Sequence, residues 1–309
     1  MFETLPKLSA PAGAEPAGDP TDLRPGQCIN GFRLLRRLGM GAMGQVWLAR
    51  VHDKPRGAAR VALKFAREGT GREHLVRERD MLTRLRHPAL LRPRGLGTTN
   101  SGIAYLAMDY VHSTTLRQYC KVPRSLRRRL SLGLQLSRAV AHVHARAIVH
   151  RDLKPANVLV AAGTSVRLID FGVATAVRRG RSSEGAEAAP TPLTPAYAAP
   201  EQLLGMPVSY TADVYALGVV IYELLTGSLP YEGVDGSSRA LREAVLSQVP
   251  RRPSAHALKR STGPAAVSGK VWAAIDRVVL RALDKRSTER FATAGAFARA
   301  LTGALRAAR

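Results

Sequence analysis

Apolar positions recur at two different periods along the chain, and the change of period divides it. Residues 32–38, 46–51, 61–65 and 103–108 are short runs rich in aliphatic and aromatic side chains. Glycine-containing turns, or one helical stretch, separate them, which predicts the strands of a small sheet. The helical stretch is 73–85, where Leu75, Leu82 and Leu85 fall at helical intervals and His87-Pro88 brings the helix to a stop. Past Asp109-Tyr110-Val111 the apolar segments lengthen, over 130–147, 212–225, 240–246, 272–283 and 293–305, so the second part is predicted to be mainly helical. The most apolar stretch, 214–225, is interrupted by Glu223 and is too short to span about 30 Å of hydrocarbon; it predicts a buried helix and no membrane span.

These patterns give an α+β class with an extension over 1–29, a sheet-bearing part over 30–108 and a helical part over 109–309. The extension is rich in Pro, Ala and Gly without periodicity, which predicts a flexible segment to which no chemistry is assigned. Between Val173 and Pro192 lies a run of small, polar and charged residues, long for a structureless connection in a compact domain, and such loops are usually functional or disordered. No internal repeat suggests a solenoid.

Composition changes this picture only at the edges. The 309 residues, 45% hydrophobic, are enough for a sizeable core. A net charge of +24 invites a nucleic-acid or anionic-membrane reading. Only 8 of the 47 basic residues are Lys, however, the Arg is scattered, and aromatics make up 5%, so base-stacking platforms are not expected. Arg bias from genome composition accounts for the charge more simply, and no nucleic-acid partner is expected. Cys28 and Cys120 fit neither a disulfide framework nor a zinc knuckle, which points to a reducing compartment. Residues 1–25 lack the apolar segment of a secretory signal, and the expected location is cytoplasmic.

The chemistry begins with Gly39-Met40-Gly41-Ala42-Met43-Gly44-Gln45-Val46. Glycines between two strand-like runs let the backbone turn sharply and approach an anion. In a dinucleotide site a helix would follow, whereas Gln45 to Ala49 reads as a strand. Val61-Ala62-Leu63-Lys64 then ends an apolar strand on a lysine aimed back toward the glycines if the strands pair. An ammonium on phosphates needs a carboxylate to orient it. Glu78 and Glu73 are the candidates, with Glu78 preferred because it stands one helical turn before Leu82. The alternatives are an ordinary glycine turn and a surface lysine.

The decisive run is His150-Arg151-Asp152-Leu153-Lys154-Pro155-Ala156-Asn157, followed by Asp170-Phe171-Gly172. Phosphoryl transfer needs a carboxylate within reach of the attacking hydroxyl, a cation on the transferred group, and oxygen ligands that hold magnesium against the phosphates. Asp152, Lys154, Asn157 and Asp170 supply all of these in one short stretch flanked by apolar Val158-Leu159-Val160 and Val166-Arg167-Leu168-Ile169.

Over residues 31–305 the sequence resembles the eukaryotic-type serine/threonine protein kinases of bacteria. The family's elements occur in order: the glycine loop, the Lys64 strand, Glu78, a hinge at 108–111, the His-Arg-Asp loop and Asp-Phe-Gly, then Thr194-Pro195-Ala196-Tyr197-Ala198-Ala199-Pro200-Glu201, Asp213-Val214-Tyr215-Ala216-Leu217-Gly218 and Arg290-Phe291. The resemblance implies a bilobal fold, with a small antiparallel-sheet lobe carrying one main helix and a larger helical lobe, and 30–305 as one kinase domain.

It also implies ATP with magnesium or manganese, and transfer of the γ-phosphoryl group to Ser/Thr hydroxyls of proteins, with autophosphorylation through self-association. Leu38, Gly39, Gly41 and Gly44 would cover the nucleotide, and Lys64, paired with Glu78, would bind the α and β phosphates. Val46, Ala62 and Leu159 would sandwich adenine, with Met108 as gatekeeper and the Asp109 and Val111 backbone on the adenine edge. Asp109 stands where the family usually has Glu, which matters little for backbone bonds. Asp152 would accept the hydroxyl proton, Lys154 would steady the γ-phosphate, and Asn157 and Asp170 would hold the metal.

Glu201 and Arg290 would form a buried ion pair. Lys154 and Thr194 match the serine/threonine rather than the tyrosine class, although Leu193 replaces the usual Gly. Arg151 would meet a phosphate on the activation segment, with Thr191 the first candidate acceptor ahead of Ser182, Ser183 and Thr175. A pseudokinase scaffold is the alternative, and its signature, a missing Lys, Asp or Asn, is not found; a partner-activated kinase is another. A small-molecule kinase would lack the Ala-Pro-Glu element and the long activation segment. The chain stops just after the last expected helix, so the expectation is a free cytoplasmic kinase or one whose sensor resides on another protein.

Overall fold

The computed structural model describes residues 23–41, 44–51, 60–67, 71–176, 194–231, 237–257 and 268–307. The N-terminal extension up to residue 22, Ala42-Met43, and the stretch 177–193 with Ser182, Ser183, Thr191 and Leu193 lie outside the described residues. Two compact units are present, one running to Arg86 and resuming over Leu91–Val111, the other comprising His87–Leu90 and the chain from His112.

The first unit is an antiparallel sheet of six strands among the described residues: β1 (Cys28–Ile29), β2 (Phe32–Gly41), β3 (Gly44–Val51), β4 (Arg60–Ala66), β5 (Pro93–Thr98) and β6 (Ala104–Asp109), ordered β1-β2-β3-β4-β6-β5. Alternation along the strands makes two different faces. Leu34, Trp47, Ala49, Leu63, Phe65, Tyr105 and Ala107 bury together as a core, with Phe32 edge-on to Tyr105 at 6.2 Å. The register sets Val46 opposite Lys64 and Ala62 opposite Met108, so these four share the other face.

The sequence pattern shows four of the six strands. It misses the edge strand β5, whose Pro93, Gly95 and Gly97 lower strand propensity; Gly97 is needed because a Cβ there would lie 2.4 Å from the Tyr105 ring. Helix α1 (Gly71–Arg84) buries Leu75, Glu78 and Leu82, a stripe at helical spacing in which one position is a carboxylate.

The second unit is mainly helical: α2 (Leu116–Cys120), α3 (Leu126–His144), α4 (Pro200–Leu203), α5 (Tyr210–Thr226), α6 (Ser238–Ser247), α7 (Pro253–Ala257), α8 (Gly269–Ala282) and α9 (Ala294–Ala307). Short strands β7 (Ser113–Thr115), β9 (Val158–Ala161) and β10 (Ser165–Leu168) form one antiparallel sheet, and β8 (Ile148–Val149) pairs with β11 (Thr175–Ala176). Helix α5 is the central element. Val214, Tyr215, Leu217, Val219, Val220, Ile221 and Tyr222 are all at 0% exposure, so this apolar run is a core helix, and Gly227 ends it in the left-handed conformation at φ 73°.

Close packing around α5 depends on two small residues. A Cβ on Gly133 of α3 would meet Ile221 at 3.1 Å, and one on Gly218 would meet Ala282 at 3.0 Å. Helix α3 begins at Leu126, ahead of the apolar period at Leu130, because Ser125 caps the Arg128 N–H and the first turn carries Arg127 to Arg129 rather than apolar residues. Among the described residues no helix is long and apolar enough to cross a membrane.

Candidate active site

In the first unit, Lys64 lies 7% exposed on β4, and its Nζ meets Glu78 Oε2 at 2.6 Å. Glu73 instead pairs with Arg77 on the exposed side of α1, which resolves the choice between the two carboxylates. Gly39 and Gly41 close β2 and Gly44 opens β3, so the glycine run continues the two strands to their tips. Gly44 has φ 125°, and a Cβ on it would lie 2.0 Å from the Phe65 carbonyl oxygen; only glycine fits there. Leu38 is 37% exposed, Ala62 and Met108 are buried, and Val46 and Val111 are half-buried. Asp109 is the last residue of β6; its N–H donates to the Arg92 carbonyl at 3.0 Å and its carboxylate is paired with Arg94.

In the second unit, the loop after β8 brings three side chains to one point, where Thr194 from a later segment meets them. Lys154 Nζ lies 2.7 Å from Asp152 Oδ2 and donates to Thr194 Oγ1 at 3.5 Å. Asn157 Nδ2 donates to the Asp152 carbonyl at 2.9 Å and to Asp152 Oδ2 at 3.0 Å, which leaves the amide oxygen directed elsewhere. The Ile169 N–H donates to the Asn157 carbonyl at 2.9 Å, seating Asp170 one residue along. Asp170 takes φ 66°, and its Oδ1 accepts the Gly172 N–H at 3.3 Å. Leu159 is half-buried on β9, and Phe171 packs against the His150 ring at 4.7 Å.

Arg151 also takes a positive φ, 69°. A long side chain held at positive φ is strain that surrounding bonds must hold. The holder is Asp213 of α5, 1% exposed: its Oδ2 accepts the His150 N–H at 2.8 Å and its Oδ1 the Arg151 N–H at 2.9 Å. Burial by itself would raise the Asp213 pKa; the hydrogen bonds it accepts from His144 and from the His150 N–H bring it below the usual carboxylate value. Burial depresses the His150 ring and the Arg151 guanidinium, against the pull of Asp213 on both. Arg151 Nε is buried with no hydrogen-bond partner among the described residues, and Gln202 Nε2 donates to the Arg151 carbonyl at 3.0 Å. Sequence reasoning places Asp213 in a motif but gives it no task; the available signal is a carboxylate inside an otherwise apolar helix.

Glu201 and Arg290 pair with both terminal guanidinium nitrogens, at 2.7 and 2.9 Å. Tyr197 donates to Glu223 Oε2 at 2.6 Å, a partnership sequence reasoning does not find.

Residues 32–297 match the family model described as protein kinase domain. The chain belongs to the protein kinase family. Among curated relatives it is 34% identical over 292 residues to serine/threonine-protein kinase PknJ of Mycobacterium tuberculosis, covering 92% of this chain and 47% of that protein. It is 33% identical over 280 residues to PknD of the same species, covering 89% and 40%, and 32% identical over 280 residues to pkn2 of Myxococcus xanthus, covering 88% and 32%. The chain thus spans less than half the length of these relatives. As a protein kinase domain it carries the α+β fold: the curled sheet of the first unit with helix α1, and the helical second unit.

Proposed function

We propose that this chain transfers the γ-phosphoryl group of ATP to serine and threonine hydroxyls of proteins, its own activation segment included. The observation that carries this reading is the single cluster of Asp152, Lys154, Asn157 and Thr194. A hydroxyl brought to Asp152 finds a carboxylate to take its proton. The adjacent Lys154 ammonium would neutralise charge on the transferred group, and Lys154 with Thr194, 3.5 Å apart, are the residues whose match to the family implies an alcohol rather than a phenol acceptor. The curated relatives it matches are likewise named serine/threonine-protein kinases.

Magnesium or manganese fits the donor set. Among the described residues no group of three or more His, Cys, Asp or Glu could enclose a cation. Mg²⁺ normally keeps several waters and takes one or two carboxylates together with phosphate oxygens, and the Asp170 carboxylate with the Asn157 amide oxygen supplies that share. The bound metal would neutralise phosphate charge. Lys64, held by Glu78, would place an ammonium on the α and β phosphates. The glycine run would cover them from Leu38 through Gly39, Gly41 and Gly44. Val46, Ala62 and Leu159 would lie against adenine beside Met108, with backbone groups of Asp109 and Val111 at its edge.

Arg151 would receive an activation-segment phosphate. Its half-buried guanidinium, with a buried Nε that has no partner among the described residues, supports this reading, since a charge-assisted pair would offset its desolvation. Thr191 remains the first candidate acceptor, with Ser182 and Ser183; Thr175 is in β11, opposite Val149. Protein substrates, self-association for autophosphorylation and a cytoplasmic setting belong to the same proposal.

The test is the intact mass of dephosphorylated protein incubated with magnesium and ATP, beside Asp152→Asn. Phosphate additions in the parent alone are expected. None in either protein overturns autophosphorylation and turns the reading to a pseudokinase scaffold or a partner-activated enzyme.

A further inference from the structure

Composition accounts for how many arginines the chain carries, but not for where three of them stand. The register of the first sheet sets Arg33 of β2 directly opposite Arg50 of β3, and Arg50 directly opposite Arg60 of β4. All three are exposed, and along each strand they alternate with residues buried in the core: Phe32 and Leu34 on β2, Ala49 on β3 and Val61 on β4. They therefore form one row across three strands, on the face away from that core. Two strand spacings of about 4.8 Å put the outer two about 10 Å apart. Like charges directly opposite each other destabilise a sheet, and Arg50 meets one on each side.

The described part of the first unit holds nothing that offsets this row. Its four acidic residues are all used: Glu73 on Arg77, Glu78 on Lys64, Asp80 on Arg79 and Asp109 on Arg94. None of the three arginines has a carboxylate partner among the described residues. A guanidinium presents a planar fork that matches a carboxylate with two parallel bonds. The large apolar side chains exposed in this unit, Leu38 and Met40, stand at the glycine end of β2, so the row lacks the apolar anchors that accompany basic groups at a lipid surface. Phe32, Trp47, Phe65 and Tyr105 are buried, and no ring beside the row offers a platform for bases.

We propose that the row of Arg33, Arg50 and Arg60 is a docking surface for an acidic segment of a partner protein. A run of about four consecutive Asp or Glu residues, extended at about 3.3 Å per residue, matches its length. Docking exchanges two arginine–arginine oppositions for ion pairs between exposed groups, so it weakens as salt rises. The surface lies on the sheet alone and does not depend on phosphoryl transfer, so its test uses no activity.

The probe is a fluorescently labelled octaglutamate peptide, titrated with the full chain and read by anisotropy at low and at physiological salt. The triple variant Arg33→Gln, Arg50→Gln, Arg60→Gln should bind it about tenfold more weakly or worse, as the loss of three exposed ion pairs implies. The triple variant Arg127→Gln, Arg128→Gln, Arg138→Gln removes the same charge from exposed positions of α3 and should stay within about twofold of the parent. Unfolding gives a second readout. Arg50→Gln alone relieves both oppositions, so it should raise the thermal midpoint of the free chain by about 1–2 °C while weakening the peptide. No binding by the parent overturns the proposal, and so does equal weakening in the two triple variants, since affinity would then follow net charge alone. A single-stranded oligonucleotide or a phosphatidylserine vesicle that binds more tightly than the peptide, and loses that binding in the row variant, assigns the row to another partner and overturns it too. A lower midpoint in Arg50→Gln would show that Arg50 is already paired in the free chain, and likewise overturns it.

Discussion

Arg290 donates from both terminal nitrogens to the two carboxylate oxygens of Glu201, and the rest of its guanidinium is used as well: Nε donates to the Asp284 carbonyl at 2.7 Å, Nη2 to Lys285 at 3.0 Å and Nη1 to Thr211 at 3.1 Å. At 2% exposure the arginine has exchanged its water shell for a complete set of protein acceptors. Its plane also lies over the Tyr215 ring, at 5.0 Å. One buried cation thereby joins α4, the start of α5 and the segment before α9.

Breaking that pair from one side leaves the other charge buried. Arg290→Met should destabilise the protein by about 3–5 kcal/mol, the usual cost of orphaning a buried ionic partner, and Glu201→Gln by less because the amide still accepts one bond. The double variant should recover part of the loss. Urea unfolding of the three proteins checks this, and a double variant no more stable than Arg290→Met would show that the backbone acceptors, not Glu201, dominate.

The two carboxylates of α1 make opposite predictions. Glu78 is 1% exposed on Lys64, whereas Glu73 is exposed on Arg77. Glu78→Gln should lower phosphorylation of a protein substrate by about tenfold or more by freeing the lysine that orients phosphates. Glu73→Gln should leave the rate within about twofold, since exposed helical pairs are worth only about 0.3–0.5 kcal/mol. Steady-state rates at saturating magnesium decide the matter; equal losses would mean the Lys64 pair has no special part.

Gly44 gives a prediction about fold rather than chemistry. Its φ of 125° is open to glycine, and an added Cβ would be forced to 2.0 Å from the Phe65 carbonyl, a backbone atom of the neighbouring strand. Gly44→Ala should destabilise by at least the 1–3 kcal/mol typical of a residue in a disallowed backbone region, on the order of the larger value once the clash is included. Gly39→Ala, with nothing near its Cβ, is the control. Thermal unfolding that ranks the two equally would contradict the strand register described for β3 and β4.

What could be read in the sequence follows from distance along the chain. The His150 to Asn157 run is legible because its cluster is local: Asp152, Lys154 and Asn157 are near in sequence and need one loop to meet. The Lys64 partner is legible because Glu78 falls in the apolar stripe of its own helix. The strand β5 is hidden by Pro93, Gly95 and Gly97, of which Gly97 finds its reason only against Tyr105 across the sheet. Asp213 and His144 are hidden differently, since nothing near either residue says that they lie 2.9 Å apart across 69 positions. The Arg290 partner was indicated by family resemblance alone; spacing along the chain carries no trace of it.

Lys285 gives a pH response that is read against its own variant, because the Cys120 thiol, pushed up to about 11 by burial, acts the opposite way in the same range in both proteins. Its Nζ donates to the Val245 carbonyl at 2.6 Å and to the Tyr231 hydroxyl at 2.9 Å, but burial, with Arg290 nearby and against the pull of Asp284, lowers its pKa to about 8. In the unfolded chain the group titrates near its ordinary value of about 10.4. Between these two values the unfolded state binds more protons than the folded state, so this group makes stability rise with pH across that window and adds no slope below it. The buried tyrosines act the other way only higher up, because burial raises Tyr231 to about 12 and the unfolded phenols ionise first, near 10. Measured between pH 8 and 9.5, the urea midpoint of the parent should therefore climb relative to that of Lys285→Met, whose curve lacks the titrating amine. Parallel curves across that interval would show that the folded lysine keeps its proton throughout, and that its two acceptors outweigh its burial.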